Sequence, residues 1–155
     1  MISLEPIGHV RSPRRELRDD DWGSVTATIE LVVGFGPEAL AGLEDYSHAE
    51  VLFHFDRVAE STIERGARHP RGNPRWPRVG IFAQRAKDRP NRLGSTIVEI
   101  LRRDGRALTV AGLDAVDGTP VLDIKPVMVE FLPRTTVRQP SWSHELMREY
   151  WKAGA

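Results

Sequence analysis

The sequence contains no cysteine, which excludes disulfide staples, thiolate nucleophiles and cysteine-ligated zinc, and permits a reducing compartment. It also carries no net charge: 22 basic residues balance 22 acidic ones, so global electrostatics point to no nucleic-acid partner. No apolar run approaches the roughly 20 residues of a membrane-spanning helix. The first residues, Met1-Ile-Ser-Leu-Glu-Pro, place no apolar stretch behind a basic one. The expectation is a soluble cytoplasmic protein. The nucleophile elbow Gly-x-Ser-x-Gly, the dinucleotide fingerprint Gly-x-Gly-x-x-Gly after a strand and the phosphate-loop Gly-Lys-Ser/Thr are missing too. Serine hydrolases and the usual nucleotide folds are thereby disfavoured.

What is present is 155 residues with 40% hydrophobic content, enough for one domain over 1–155 with a sizeable core. Eleven prolines and thirteen glycines cut it into short apolar runs of strand character. Leu4 to Val10 reads as a first strand. From Ser24 to Val33, Val25, Ala27, Ile29 and Leu31 alternate with Thr26, Thr28, Glu30 and Val32, the period of a half-buried strand. Ala49 to Phe55 repeats the pattern, with Ala49, Val51, Phe53 and Phe55 on one face. Asp104-Gly105 and Asp117-Gly118 are tight-turn pairs, so Ser95–Arg103, Arg106–Asp114 and Thr119–Met128 are expected to form an antiparallel meander. Between Glu60 and Arg78 the chain is polar and proline-rich, and reads as a long exposed loop. Leu146, Met147, Tyr150 and Trp151 fall at helical spacing, which predicts a short helix over about 143–152 capped by Ser143.

Charge is unevenly placed. From Arg57 to Arg92, ten basic residues face only Glu60, Glu64 and Asp88, a local +7 balanced by −7 elsewhere. Such asymmetry can guide a phosphate-bearing partner to one face, and a solvated arginine-rich loop is the equally simple reading. Within this segment, Val79-Gly-Ile-Phe-Ala-Gln-Arg-Ala-Lys-Asp-Arg-Pro-Asn-Arg-Leu-Gly94 joins an apolar run to a dense polar cluster. Pro90 fixes its own φ and biases Arg89 away from helix, giving a stiff loop. His48, Glu50 and His54 share a strand face, but six residues of strand span roughly 20 Å, too far for one metal ion. Asp114-Ala-Val-Asp-Gly-Thr-Pro-Val-Leu-Asp-Ile-Lys-Pro126 spaces three acids and a lysine through an apolar hairpin. Asp117 suits a turn there, and Asp123 with Lys125 suits an ion pair.

Five segments in this order carry a resemblance: Ile7-Gly-His-Val-Arg-Ser-Pro13; Leu43-Glu-Asp-Tyr-Ser-His48 with Val51-Leu-Phe-His-Phe55; Val79-Gly-Ile-Phe-Ala-Gln-Arg85; Arg89-Pro-Asn91 with Leu93-Gly94; and Asp117-Gly-Thr-Pro-Val-Leu-Asp-Ile-Lys-Pro126. Over about Leu4 to Phe131 the chain resembles the TsaA-like, or TrmO, family of S-adenosylmethionine-dependent methyltransferases. The resemblance implies an all-β fold, a small antiparallel β-barrel with long loops and a short C-terminal helix. It also implies S-adenosyl-L-methionine as methyl donor, no metal, and a homodimer with the donor near the subunit interface. The activity it implies is methylation of N6 of threonylcarbamoyl-adenosine in tRNA. By the same analogy Asp56, Arg57, Arg85, Leu93, Gly94 and Ser95 belong to the donor site, with Asp114, Ala115, Val116, Asp117 and Gly118 closing over it. Arg89 and Asn91 are expected to order the pocket or touch substrate, and Asp123 and Lys125 to fix or polarise the acceptor.

The chain departs from the family pattern at Gln84, Ala86-Lys87, Arg92-Leu93 and Val127, in the short Arg18–Gly23 loop, and in lacking the C-terminal extension of longer tRNA-methylating members. These departures bear on the acceptor more than on the donor. A methyltransferase acting on a small molecule and a noncatalytic module that binds the donor are the alternatives. Trp142, Tyr150 and Trp151 offer docking surface for the dimer.

Overall fold

Strict alternation puts one side of each apolar run in a common interior, and six runs close around it. The computed structural model describes residues 1–154. Its strands are β1 (Gly8–Arg11), β2 (Thr26–Leu31), β3 (His48–His54), β4 (Ala67–Arg68), β5 (Val79–Gly80), β6 (Leu93–Asp104), β7 (Ala107–Ala111) and β8 (Pro120–Pro126), followed by the helix α1 (Ser141–Leu146). The order β1-β2-β7-β6-β3-β8 forms a closed barrel, and β8 returns to pair with β1. All these pairings are antiparallel. Closure leaves Leu93–Val98 of β6, which runs on past β7, as the long stretch paired on one side only.

The interior follows the alternation. Ala27, Ile29 and Leu31 of β2, Ala49, Val51 and Phe53 of β3, Val98 of β6, Leu108 and Val110 of β7 and Val121 of β8 are buried together. Each larger aliphatic removed from water contributes roughly 1.5–3 kcal/mol, the largest favourable term available to this barrel. Register slips that leave Leu122 of β8 extra opposite Leu52 and Phe53, and Leu101 of β6 extra opposite Val110 and Thr109, bend β8 and β6, as closure of a small barrel requires.

Several expectations need correction. The first strand begins at Gly8, not Leu4, because Leu4 to Pro6 are exposed and unpaired with the barrel. The meander stops after its first hairpin. β6 and β7 pair across the two-residue loop Gly105–Arg106, with Gly105 at φ +57°, but β8 pairs with β1 and β3 instead of β7. The intervening residues 112–119 cross one end of the barrel because Leu113 and Ala115 are more stable inside it, and Val116 against Trp22 and Val25, than on a solvated hairpin. Asp117 and Gly118 still turn the chain, with their amides donating to the carbonyls of Arg14 and Val10 at 2.7 Å each.

The Glu60–Arg78 loop is more ordered than its composition suggests. Its stem is the β4–β5 ribbon, and Pro70 is fully buried. The terminal helix runs only over Ser141–Leu146, starting two residues early and stopping before Met147, Tyr150 and Trp151, which follow in turns, and Ser143 does not cap it. Its hydroxyl donates back to the Pro140 carbonyl at 2.6 Å, as serine does inside a helix.

Candidate functional site

At the end of the barrel spanned by residues 112–119, a cleft of about 1460 Å³ opens beside the start of β6. That exceeds the 300–1,000 Å³ typical of small-molecule sites, leaving room for a nucleoside-sized ligand and part of a second one. One wall is the loop Phe82–Pro90, a second is Leu93–Ile97, a third is Asp114–Val116, and Asp56–Val58 lie at the rim. Gly94 makes the second wall possible: a Cβ there would lie 2.5 Å from Phe53 Cε2 and 2.9 Å from Phe55 Cζ. Those rings pack edge to face, with centroids 5.3 Å apart, beneath the cleft.

The Arg89–Arg92 turn is strained and tightly tied. Asn91 and Arg92 both adopt left-handed φ, at 65° and 49°. The Arg92 amide donates to the Arg89 carbonyl at 2.9 Å, the Phe55 amide donates to the Arg92 carbonyl at 2.9 Å, and the Arg92 guanidinium donates to the Val58 carbonyl at 2.6 Å. Arg85 donates to the Ser95 carbonyl at 2.7 Å and Arg89 to the Gln84 carbonyl at 2.6 Å, so both guanidinia are held at the cleft wall.

Gln84 is buried behind them and donates through its amide to the carbonyls of Arg68 and Val79, at 3.1 and 3.0 Å. It thereby fastens the β4–β5 stem to the cleft.

Asp114 has the most ordered carboxylate of the site. One oxygen accepts the Thr96 hydroxyl and the other the Tyr150 hydroxyl. Asp117, by contrast, uses its carboxylate on the Ser12 amide at 2.9 Å, outside the cleft lining.

The model of the tRNA-methyltransferase O N-terminal domain matches residues 12–131. The chain belongs to this family. A probable S-adenosyl-L-methionine-binding protein of Pyrococcus abyssi is 34% identical over 144 residues, covering 89% of this chain and 74% of that protein. The tRNA (adenine(37)-N6)-methyltransferase of Escherichia coli is 36% identical over 146 residues, covering 85% of this chain and 61% of that enzyme. The human protein of the same name is 35% identical over 147 residues, covering 90% of this chain and 33% of that enzyme. The crystal structure of TrmO from Pseudomonas aeruginosa superimposes with a TM-score of 0.74 at 32% identity, covering 92% of this chain and 62% of that one. The chain thus spans about three fifths of the E. coli enzyme and about a third of the human one.

Within this family domain, the structure gathers Asp56, Arg57, Arg85, Leu93, Gly94, Ser95, Asp114, Ala115 and Val116 around the cleft, together with Arg89. Asn91, Asp117, Gly118, Asp123 and Lys125 do not line it. Lys125 pairs in register with Glu50, which does, and Asp123 borders a smaller recess of about 700 Å³ on the barrel flank. Lys125 and Asp123 form an ion pair at 2.9 Å. That hydrogen bond first, then the carboxylate's charge, raises the lysine pKa.

Sequence reasoning did not place Thr96 or Trp22 at the site, noted Gln84 only in the polar cluster and as a departure from the family pattern, and read Tyr150 as a helix-face and docking aromatic. Thr96 and Gln84 are betrayed by no pattern, since a single inward polar residue looks like any other. Tyr150 lies 36 residues from the carboxylate it meets.

The basic segment is partly neutralised within the chain. Arg71 reaches Asp20 at 3.1 Å, Lys87 reaches Asp19 at 4.0 Å, and Arg68 pairs with Asp88 at 3.0 Å. Arg65 and Arg78 are exposed and make no ion pair among the described residues. No helix is long and apolar enough to cross a membrane, and no group of three potential metal ligands occurs among the described residues.

Proposed function

We propose that the chain is an S-adenosyl-L-methionine-dependent methyltransferase acting on N6 of a modified adenosine, threonylcarbamoyl-adenosine, in tRNA. The single observation that carries this reading is the cleft of about 1460 Å³, lined mostly by family-matched residues and furnished with groups of both signs. The names of the E. coli and human relatives supply the reaction class.

The residues fit such a donor. Leu93, Ile97 and the exposed ring of Phe82 give the cleft apolar flanks for a purine. Asp114, with both oxygens anchored, offers a fixed negative charge to the sulfonium or ammonium. Arg85 and Arg89, clamped to backbone carbonyls, present positive charge to a carboxylate. When bound, the donor supplies the electrophilic methyl group.

The chain's part is to hold donor and acceptor in line and keep water out, for which a preformed wall is better suited than a mobile one. Asn91 contributes through the backbone of the Arg89–Arg92 turn. Asp123 and Lys125 act from the flank, toward the acceptor side of Glu50. Acceptor RNA approaches over Arg65 and Arg78 of the basic segment.

A homodimer in the cytoplasm completes the reading. Ile97 and Leu101 on the outer face of β6, and Val129 and Phe131 beyond β8, are exposed apolar groups suited to a second copy. Light scattering behind size exclusion tests this.

A small-molecule acceptor is the second reading, favoured by the neutralisation of Arg68, Arg71 and Lys87 within the chain. Incubation with methyl-labelled donor and either total tRNA or a small-molecule extract separates the two. Label in tRNA adenosine is the expected result. Label confined to the extract would establish the second reading, and calorimetric donor binding without transfer to either would leave a noncatalytic binding module.

A further inference from the structure

We infer that Tyr150 is a positioning residue of the donor site, aiming the Asp114 carboxylate at the cationic end of the methyl donor. This rests on the donor-site reading above. The family match ends at residue 131, yet the chain beyond it returns to the cleft and lines it with Trp142, Tyr150 and Trp151.

The return is built into the backbone. The Asp21, Trp22 and Gly23 amides donate to the carbonyls of Glu149, Tyr150 and Lys152 at 3.0, 2.8 and 3.1 Å. Gly23 permits this approach, because a Cβ there would lie 1.9 Å from the Trp151 carbonyl oxygen. The Tyr150 ring packs with buried Trp22, Val25 and Val116, so its hydroxyl has a fixed direction. The Arg14 guanidinium, 4.2 Å from the Trp22 ring centre, covers that cluster.

The hydroxyl meets one Asp114 oxygen while Thr96 of β6 holds the other. Two donors from opposite sides fix the plane of a carboxylate that hangs on an irregular segment. Burial foremost, and then the Asp114 charge, push the Tyr150 pKa up, so the hydroxyl stays protonated and acts as a donor rather than a base. The carboxylate keeps unused lone pairs for a ligand in the cleft. A tail outside the family domain therefore completes a site inside it.

Calorimetry of S-adenosyl-L-methionine on the full chain tests this, with Y150F, D114N and the double variant, each checked for folding by thermal unfolding. Phenylalanine keeps the ring packing and removes only the hydroxyl. We expect Y150F to weaken donor binding about tenfold, as for a lost charge-assisted bond that oriented a ligand group. D114N weakens it at least as much, and the double variant binds no more weakly than D114N alone, since Tyr150 acts through Asp114. Unchanged affinity in Y150F, even with a lower melting temperature, would overturn the inference. So would a double variant whose loss is the product of the two single losses. Failure of the unmodified chain to bind the donor would overturn the donor-site reading itself, and this inference with it.

Discussion

Asp114 and Asp123 stand on one continuous stretch of chain, each in an apolar setting, and the fold treats them in opposite ways. Asp114 lies where the chain crosses the barrel end, and two hydroxyls from distant segments grip it. Asp123 lies on strand β8 beside its bulge and pairs with Lys125, with the two side chains 46% and 60% exposed. A carboxylate fixed by donors at a cleft keeps its direction for a ligand, whereas an exposed pair is screened by water and worth little. An acid gains its role from what surrounds its oxygens, not from its neighbours in sequence.

The largest effect is expected of Asp114→Ala. It leaves the Tyr150 and Thr96 hydroxyls without their acceptor, and chemical denaturation should show a loss of about 3 kcal/mol together with loss of donor binding. If stability and binding both survive, Asp114 is no more important than Asp123. Gly94→Ala probes the wall opposite. The added methyl meets the Phe53 and Phe55 rings, for an expected cost of about 2 kcal/mol and weaker donor binding.

Arg89→Ala should leave the barrel folded and lower methyl transfer about tenfold, as expected for a group that positions rather than supports. Unchanged turnover in the folded variant removes Arg89 from the site. On the other side of the comparison, Lys125→Met should not move the melting temperature measurably, because both partners are exposed.

The smallest expected effect concerns Glu44, whose hydrogen bond from Arg103, aided by its own and the Gly42 amide, lowers its pKa from 4.5 to about 2. Its contribution to stability is present above pH 4.5 and is lost as pH falls through about 2. Carboxyl chemical shifts across that window should locate the midpoint, and Arg103→Ala should return it toward the ordinary value.

Much of the barrel was legible. Alternation in Val25–Leu31 and Ala49–Phe53 announced inward faces because a strand has a period of two, and the Asp104-Gly105 pair announced the β6–β7 hairpin. The second Asp-Gly pair was read the same way and misled. Its turn is real, but a local turn signal says nothing about which distant strand the next residues will join. The Arg89–Gly94 loop was recognisable as stiff from Pro90, while its two left-handed residues, Asn91 and Arg92, were not.

By itself, then, the order of residues determined the strand faces, the stiffness of the charged loop and, through Asp117–Pro126 and Arg89–Gly94, the family. Those are local properties, set by steric limits on φ and by the period of side chains along a strand. Tertiary structure alone decided that β8 closes the barrel against β1, that Asp19 and Asp20 pair with Arg71 and Lys87 of the basic segment, and that Tyr150 meets Asp114. These depend on burying Leu113, Ala115, Val116 and the Tyr150 ring, a gain that is realised only when segments far apart in sequence come together.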